Sequence, residues 1–220
     1  MDAPNNQQVH HRRLEVIEPS KSHTFIKPVK KIHEGHDVPR FLVSQGYTDI
    51  MTFVMQLNRA MCPRKTAEDG NKKSVQTWNL NSQAVSISEP ISRLRDMLKS
   101  IDSIIDEVPP DTGPRRFGNV SFRKWHEVLE SRASSILDEF LPESILLNVG
   151  EDSSSVSGKD ELLSYFMGGF GSSQRLDYGT GHELSFVAFL GCMWKLGGFA
   201  KTDLSDDEQE RSIVLHVIEP

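Results

Sequence analysis

Two short stretches of this chain carry residue types whose order could do chemistry. The first is Arg115-Arg116-Phe117-Gly118-Asn119, between a proline-rich break and a helix start. Adjacent arginines there could hold a phosphate or carboxylate, because the guanidinium fork matches such groups bidentately. The same residues also read as a solvated loop with a helix-entry turn at Gly118-Asn119. The second stretch is Asp177-Tyr178-Gly179-Thr180-Gly181-His182-Glu183, preceded by Arg175. Gly179 and Gly181 let the backbone approach a ligand closely. The uncommitted N–H groups of a helix start, with its positive dipole end, favour an anion. Asp177 could hold a magnesium ion and Arg175 could neutralise phosphate charge. A structural reading stands beside this one: Thr180 as N-cap, with Glu183 closing a capping box.

His182-Glu183 suggests acid–base work, but neighbours on a helix do not face each other. No serine or cysteine is spaced for a triad, and the second stretch lacks the GxxxxGK[ST] frame of a Walker loop. His33, His36 and Asp37 cluster beside Gly35 and Pro39, which makes a loop rather than a metal site. Cys62 and Cys192 have no CxxC partner, so two free thiols in a reducing compartment are expected.

Helices must position these residues. The spacing predicts one from about Thr48 to Met61, stopped by Pro63, with a charged loop over 64–74. A second is expected after Ser88 as cap, with Pro90 in its first turn and Ile91, Leu94, Leu98, Ile101, Ile105 and Val108 as its seam. A third starts near Ser121 and runs to Phe140. A short one spans about Lys159–Phe166. The strongest begins near Gly181; Leu184, Phe186, Val187, Phe189, Leu190, Met193, Trp194 and Leu196 make it apolar nearly all round, so it should be the buried central helix. Asp203–Glu210 reads as an acidic loop. Ile213–Ile218 reads as a buried segment without partners, which predicts an exposed apolar patch. Residues 1–24 read as a flexible lead, and 25–220 as the domain. The fold class is all-α.

At 220 residues the chain can bury a real core. Its net charge of −6 argues against a general nucleic-acid binder. No apolar run reaches the ~18 residues that span a bilayer, and the N-terminus has no signal-peptide pattern. A cytoplasmic and possibly nuclear monomer, with no membrane or nucleic-acid partner, is expected.

The two stretches also carry a resemblance. Arg116-Phe117-Gly118-Asn119, continuing to Phe122-Arg123-Lys124-Trp125, and the Asp177–Glu183 run, followed by Phe186, Phe189 and Leu190, are similar to two signature blocks of the phosphotyrosyl phosphatase activator family. Ile26-Lys27-Pro28 and the Phe41 to Met61 region resemble that family's opening helices. The resemblance implies an all-helical fold with core, linker and lid, and a pocket that binds ATP with Mg2+. It implies a peptidyl-prolyl cis/trans isomerase that activates the phosphatase 2A catalytic subunit, free or in its scaffold-bound core. Carried over by position, Asp177, Gly179, His182 and Glu183 would be catalytic, with Asp177 also the metal ligand. Arg116, Gly118, Asn119, Thr180 and Gly181 would bind the nucleotide. Family members continue past this length with a block that completes the core, so a chain shortened at its C-terminus is expected. A non-catalytic phosphatase-binding adaptor, or a fragment competing with the full activator, is the alternative.

Overall fold

Amphipathic spacing produces the helices, and helix–helix packing produces the fold. The structure, a computed structural model, describes residues 12–18, 23–65, 74–80, 82, 85–113, 118–146, 156–176, 178–200 and 202–219. Helix α1 covers Val38–Leu42 and α2 Gln45–Met61. The Ser44 hydroxyl accepts from the Tyr47 N–H at 3.1 Å and starts α2, while Cys62 leaves it in extended geometry just before Pro63. Helices α3 (Glu89–Asp102), α4 (Ile104–Glu107), α5 (Ser121–Phe140), α6 (Glu143–Leu146), α7 (Gly158–Gly168), α8 (Thr180–Lys195) and α9 (Asp206–Ile213) follow. The all-α class stands.

Helix α8 packs on α7 and α2, α2 also on α9, and α5 on both α3 and α7. Phe53, Leu94, Leu129, Phe166, Phe189, Leu190 and Ile213 meet in the resulting core. Burying each such side chain contributes about 1.5–3 kcal/mol. α8 is buried chiefly in its second half, from Phe189 to Trp194. Its first half is largely half-buried, and Leu184 there is exposed.

Several expectations need correction. Residues 12–18 are not a loose lead. The Leu14 N–H donates to Gln56 Oε1 (2.7 Å), Trp194 Nε1–H donates to the Leu14 carbonyl (2.9 Å), and the Ile17 N–H donates to the Lys195 carbonyl (2.7 Å). Leu14 itself is buried. This strap satisfies its backbone on α2 and α8, and its arginine closes a charge cluster on α9. Arg13 pairs with Asp207, with Glu210 (2.8 Å) and with Asp206 (3.4 Å), and Arg64 pairs with Asp207 (2.6 Å).

The charged stretch after Pro63 is not all loop, since Arg64–Lys65 (β1) and Val75–Gln76 (β2) form a short antiparallel ladder. The expected seam of the second helix breaks at Ser103. Ile104 therefore takes the buried place and Ile105 is turned out. Ser88 stands at the N-cap of α3 as expected, but its hydroxyl makes no cap bond and instead accepts from Gln209 Nε2 at 3.0 Å. The acidic stretch is no loop beyond Ser205. Ser205 and Glu208 form a capping box that starts α9. The segment after α9 is a π-helical turn, Val214–Ile218, whose Leu215 and Val217 are buried, and the turn packs on α3. The apolar patch expected there is covered. The His33–Asp37 cluster is a 3₁₀ turn in which Asp37 accepts from the N–H groups of His33 and Glu34. Among the described residues there is no group of three or more metal-ligating side chains.

Candidate functional site at the head of helix α8

Glycines at the end of α7 let it lie close against the start of α8. A β-carbon on Gly168 would stand 3.0 Å from Ser185 Oγ, and one on Gly169 would stand 3.1 Å from Phe186 Cβ. This proximity brings His182 to the Gly168 carbonyl, with Nδ1 at 2.7 Å. A carbonyl only accepts, so Nδ1 carries the proton and the ring orientation is set. Tyr178 stacks on the His182 ring, with centroids 5.7 Å apart and an angle of 22°. What burial Tyr178 has, and then the Glu183 carboxylate, push its phenol up, so it stays a neutral donor at neutral pH.

The N-cap of α8 is Gly179, and among the described residues no side chain caps it, which corrects the expectation that Thr180 and Glu183 form a capping box. The Gly179 carbonyl accepts from the N–H groups of His182 (2.8 Å) and Glu183 (3.4 Å). Among the described residues nothing accepts from the Thr180 and Gly181 N–H groups. Among the described residues beyond the adjoining chain, nothing lies within 4 Å of where a β-carbon on Gly179 or Gly181 would sit. Gly179 is in extended backbone that any residue adopts (φ −167°). Packing therefore does not require glycine at either place. Two adjacent donors at a positive helix end, with no acceptor among the described residues, suit an anion.

The first stretch meets the loop before α8 through Gly118. Gly118 has φ +90° and sits against Leu176, where a β-carbon would fall 2.8 Å from the Leu176 carbonyl oxygen. Leu176 itself is left-handed at φ +54°, and its N–H donates to the Ser172 carbonyl at 2.8 Å. Arg123 Nε donates to the Ser173 carbonyl at 3.2 Å. The turn before α5 thus holds the loop before α8. Asn119 faces elsewhere. Its Oδ1 accepts from the N–H groups of Asp111 and Ser121 (3.0 Å each), and its Nδ2 donates to the Asp111 carbonyl (2.9 Å). It also lines an apolar cleft of about 290 Å³ with Ile105, Val108, Pro110, Phe122 and Trp125.

Gly118 thus meets the loop before α8 at Leu176, Gly179, Thr180, Gly181 and His182 form the start of α8 itself, and Glu183 is exposed there. Arg116 and Asp177 lie outside the described residues. Residue-type reasoning missed Leu176 and the aromatic support beneath the loop. There Phe170 meets Phe166 (5.1 Å), Trp125 (6.2 Å) and Phe186 (6.3 Å). The run Gly168-Gly169-Phe170-Gly171 was the available signal for that close packing.

The fold is a mostly helical domain, and at the head of α8 the Thr180 and Gly181 N–H groups meet no acceptor among the described residues. Residues 28–220 match the family model described as phosphotyrosyl phosphate activator (PTPA) protein, and the chain belongs to that family. It is 54% identical over 209 residues to serine/threonine-protein phosphatase 2A activator 1 of Aspergillus fumigatus, covering 95% of this chain and 43% of that protein. It is 34% identical over 197 residues to the protein of the same name in Schizosaccharomyces pombe, covering 90% of this chain and 51% of that one. Among solved structures it resembles the crystal structure of the PP2A phosphatase activator Ypa1 PTPA1, with TM-score 0.58 and 27% identity, over 87% of this chain and 52% of that one. The chain spans about half the length of the curated relatives it matches.

Proposed function

We propose that this chain takes part in activating the phosphatase 2A catalytic subunit, acting as an ATP- and magnesium-dependent peptidyl-prolyl cis/trans isomerase in the cytoplasm and nucleus. The observation that carries the reading is the pair of N–H groups at the head of α8 that have no acceptor among the described residues, behind a loop braced by the Gly118 turn, in a chain of this family. The described residues fit a phosphate group. Thr180 and Gly181 offer N–H donors, and Gly179 and Gly181 put no side chain of their own over them. Asp177 would hold the metal and Arg116 would add positive charge.

When bound, magnesium-ATP supplies anionic oxygens and a divalent cation. The chain's own residues do the rest. The helix head orients the anion, and the Gly168 carbonyl fixes His182 against Tyr178. An X–Pro bond turns over a barrier of about 18–20 kcal/mol and takes tens to hundreds of seconds unaided. A twisted imide nitrogen is more basic, so a donor aimed at it in a dry site lowers that barrier without any nucleophile. The absence of a triad is therefore consistent with this chemistry.

The test is to incubate inactive phosphatase 2A catalytic subunit with the purified chain, with and without magnesium-ATP, and to follow phosphopeptide hydrolysis. Nucleotide-dependent recovery of activity, lost in Gly179→Asp, is the expected result. Binding without recovery would favour an adaptor instead.

A further inference from the structure

Six of the sixteen large apolar side chains exposed among the described residues fall between residues 26 and 43, so the unpartnered apolar surface is concentrated in one arm. Its first part is Ile26-Lys27-Pro28-Val29-Lys30-Lys31-Ile32. Ile26 is 67% exposed, Val29 63% and Ile32 38%. Lys27, Lys30 and Lys31 are exposed as well, and among the described residues none of the three is held in an ion pair.

The strip is anchored to α7 at its start and runs into a hydrogen-bonded turn at its end. On one side Phe25 is buried against Gly158, and the Ile26 N–H donates to Glu161 Oε2 at 2.9 Å. On the other side Asp37 accepts from the N–H groups of His33 and Glu34 at 3.0 and 3.1 Å. Between these points the backbone forms neither helix nor strand, and Pro28 fixes one φ near −65°. Apolar residues three apart, interleaved with lysines, are therefore presented outward on an extended support. Three positive charges within five residues stand out on a chain whose net charge is −6.

We infer that the strip from Ile26 to Ile32 docks an acidic, apolar-centred surface of the phosphatase partner, an inference that rests on the functional reading above. Charge complementarity supplies the partner's sign. The lysines steer the approach, and the β-branched side chains between them supply the area removed from water. A protein fits better than a bilayer. The strip has no amphipathic helix face and no Trp, Phe or Leu to enter the headgroup layer.

The test is a binding titration of purified phosphatase 2A catalytic subunit at low and high salt. It compares the parent chain, the triple variant Lys27→Glu/Lys30→Glu/Lys31→Glu and the double variant Ile26→Ser/Val29→Ser. Thermal melts confirm that the exposed substitutions leave the fold intact, and phosphatidylserine vesicles serve as a second probe. Both variants should bind about tenfold or more weakly, and the triple variant should lose the salt dependence that the parent shows. Parent-like binding by both variants would overturn the docking assignment and leave the functional reading standing. Binding of the parent to vesicles but not to the phosphatase would overturn the assignment to a protein. A parent chain that binds neither would refute the functional reading itself, and the strip's assignment with it.

Discussion

Gly118 backs onto the main chain of Leu176, so close that a β-carbon would fall 2.8 Å from the Leu176 carbonyl oxygen. This contact ties two stretches nearly sixty residues apart into one site. Gly118 also needs φ +90°, a left-handed value that glycine adopts without a side-chain penalty. Gly118→Ala should therefore cost about 1–3 kcal/mol and loosen the loop before α8. Urea unfolding of the two proteins measures it. Equal midpoints would mean that the two loops do not meet in solution.

Gly179 predicts the opposite pattern. Its backbone is extended and its surroundings are open, so Gly179→Ala should change stability by no more than about 0.5 kcal/mol. Gly179→Asp should be tolerated by the fold as well, but it would put a carboxylate where an anion is proposed to sit. Paired melts and nucleotide titrations separate the effects. A strongly destabilised alanine variant would show that the space around Gly179 is filled.

The strap over residues 12–18 makes a third prediction. Leu14 lies between α2 and α8 with its N–H and carbonyl both bonded, so Leu14→Ala should cost about 2–4 kcal/mol. A loose lead would show no loss, and denaturant unfolding distinguishes the two.

The charge cluster beneath the strap gives a pH signature of two signs. Burial pushes the Glu210 carboxyl above its ordinary 4.5, and the hydrogen bond and charge of Arg13 only partly offset it. Asp207 is also pushed up by burial, but the hydrogen bond and charge of Arg64, with help from Arg13, bring it below its ordinary 3.8. A raised folded value means that ionising Glu210 costs stability as pH climbs from about 4.5 through that raised value. A lowered one means that Asp207 stabilises above about 3.8, and that this is lost as pH falls through the folded value. Glu210→Gln should therefore gain stability relative to the parent as pH rises from 4.5 toward neutrality. Asp207→Asn should be less stable than the parent near neutrality, with the gap closing in acid. Stability measured against pH for the three proteins checks both signs, and parallel curves would contradict the assignment.

Where apolar periodicity governs packing, the sequence was readable. Helix α5 runs from Ser121 to Phe140 as its spacing predicts, and α2 and the buried half of α8 lie where their apolar faces place them. Helix α9 escaped because most of what it buries is polar: Gln209, Glu210, Arg211 and Ser212 are inside, with Ile213 its one apolar core residue. No hydrophobic pattern could reveal it, although Ser205 with Glu208 three residues on was a legible start signal. The strap escaped because main-chain hydrogen bonds and one arginine hold it. At the site, the glycines and His182 could be singled out from type and order. Their purpose could not, since the open space around Gly179 and the crowding at Gly118 depend on partners distant in the chain.

The head of α8 is proposed as a nucleotide-binding site in a folded domain. Thermal melts of the parent chain and of Gly179→Asp, with and without saturating magnesium-ATP, test it most directly. A ligand at a hundred times its Kd adds about 2.7 kcal/mol to a folded state that alone binds it, which is a rise of about 5–10 °C at this size. The parent should show a cooperative transition that moves up by that order, and the aspartate variant should melt like the parent without nucleotide and barely move with it. A parent transition that nucleotide leaves in place, or an equal rise in both proteins, would contradict the account.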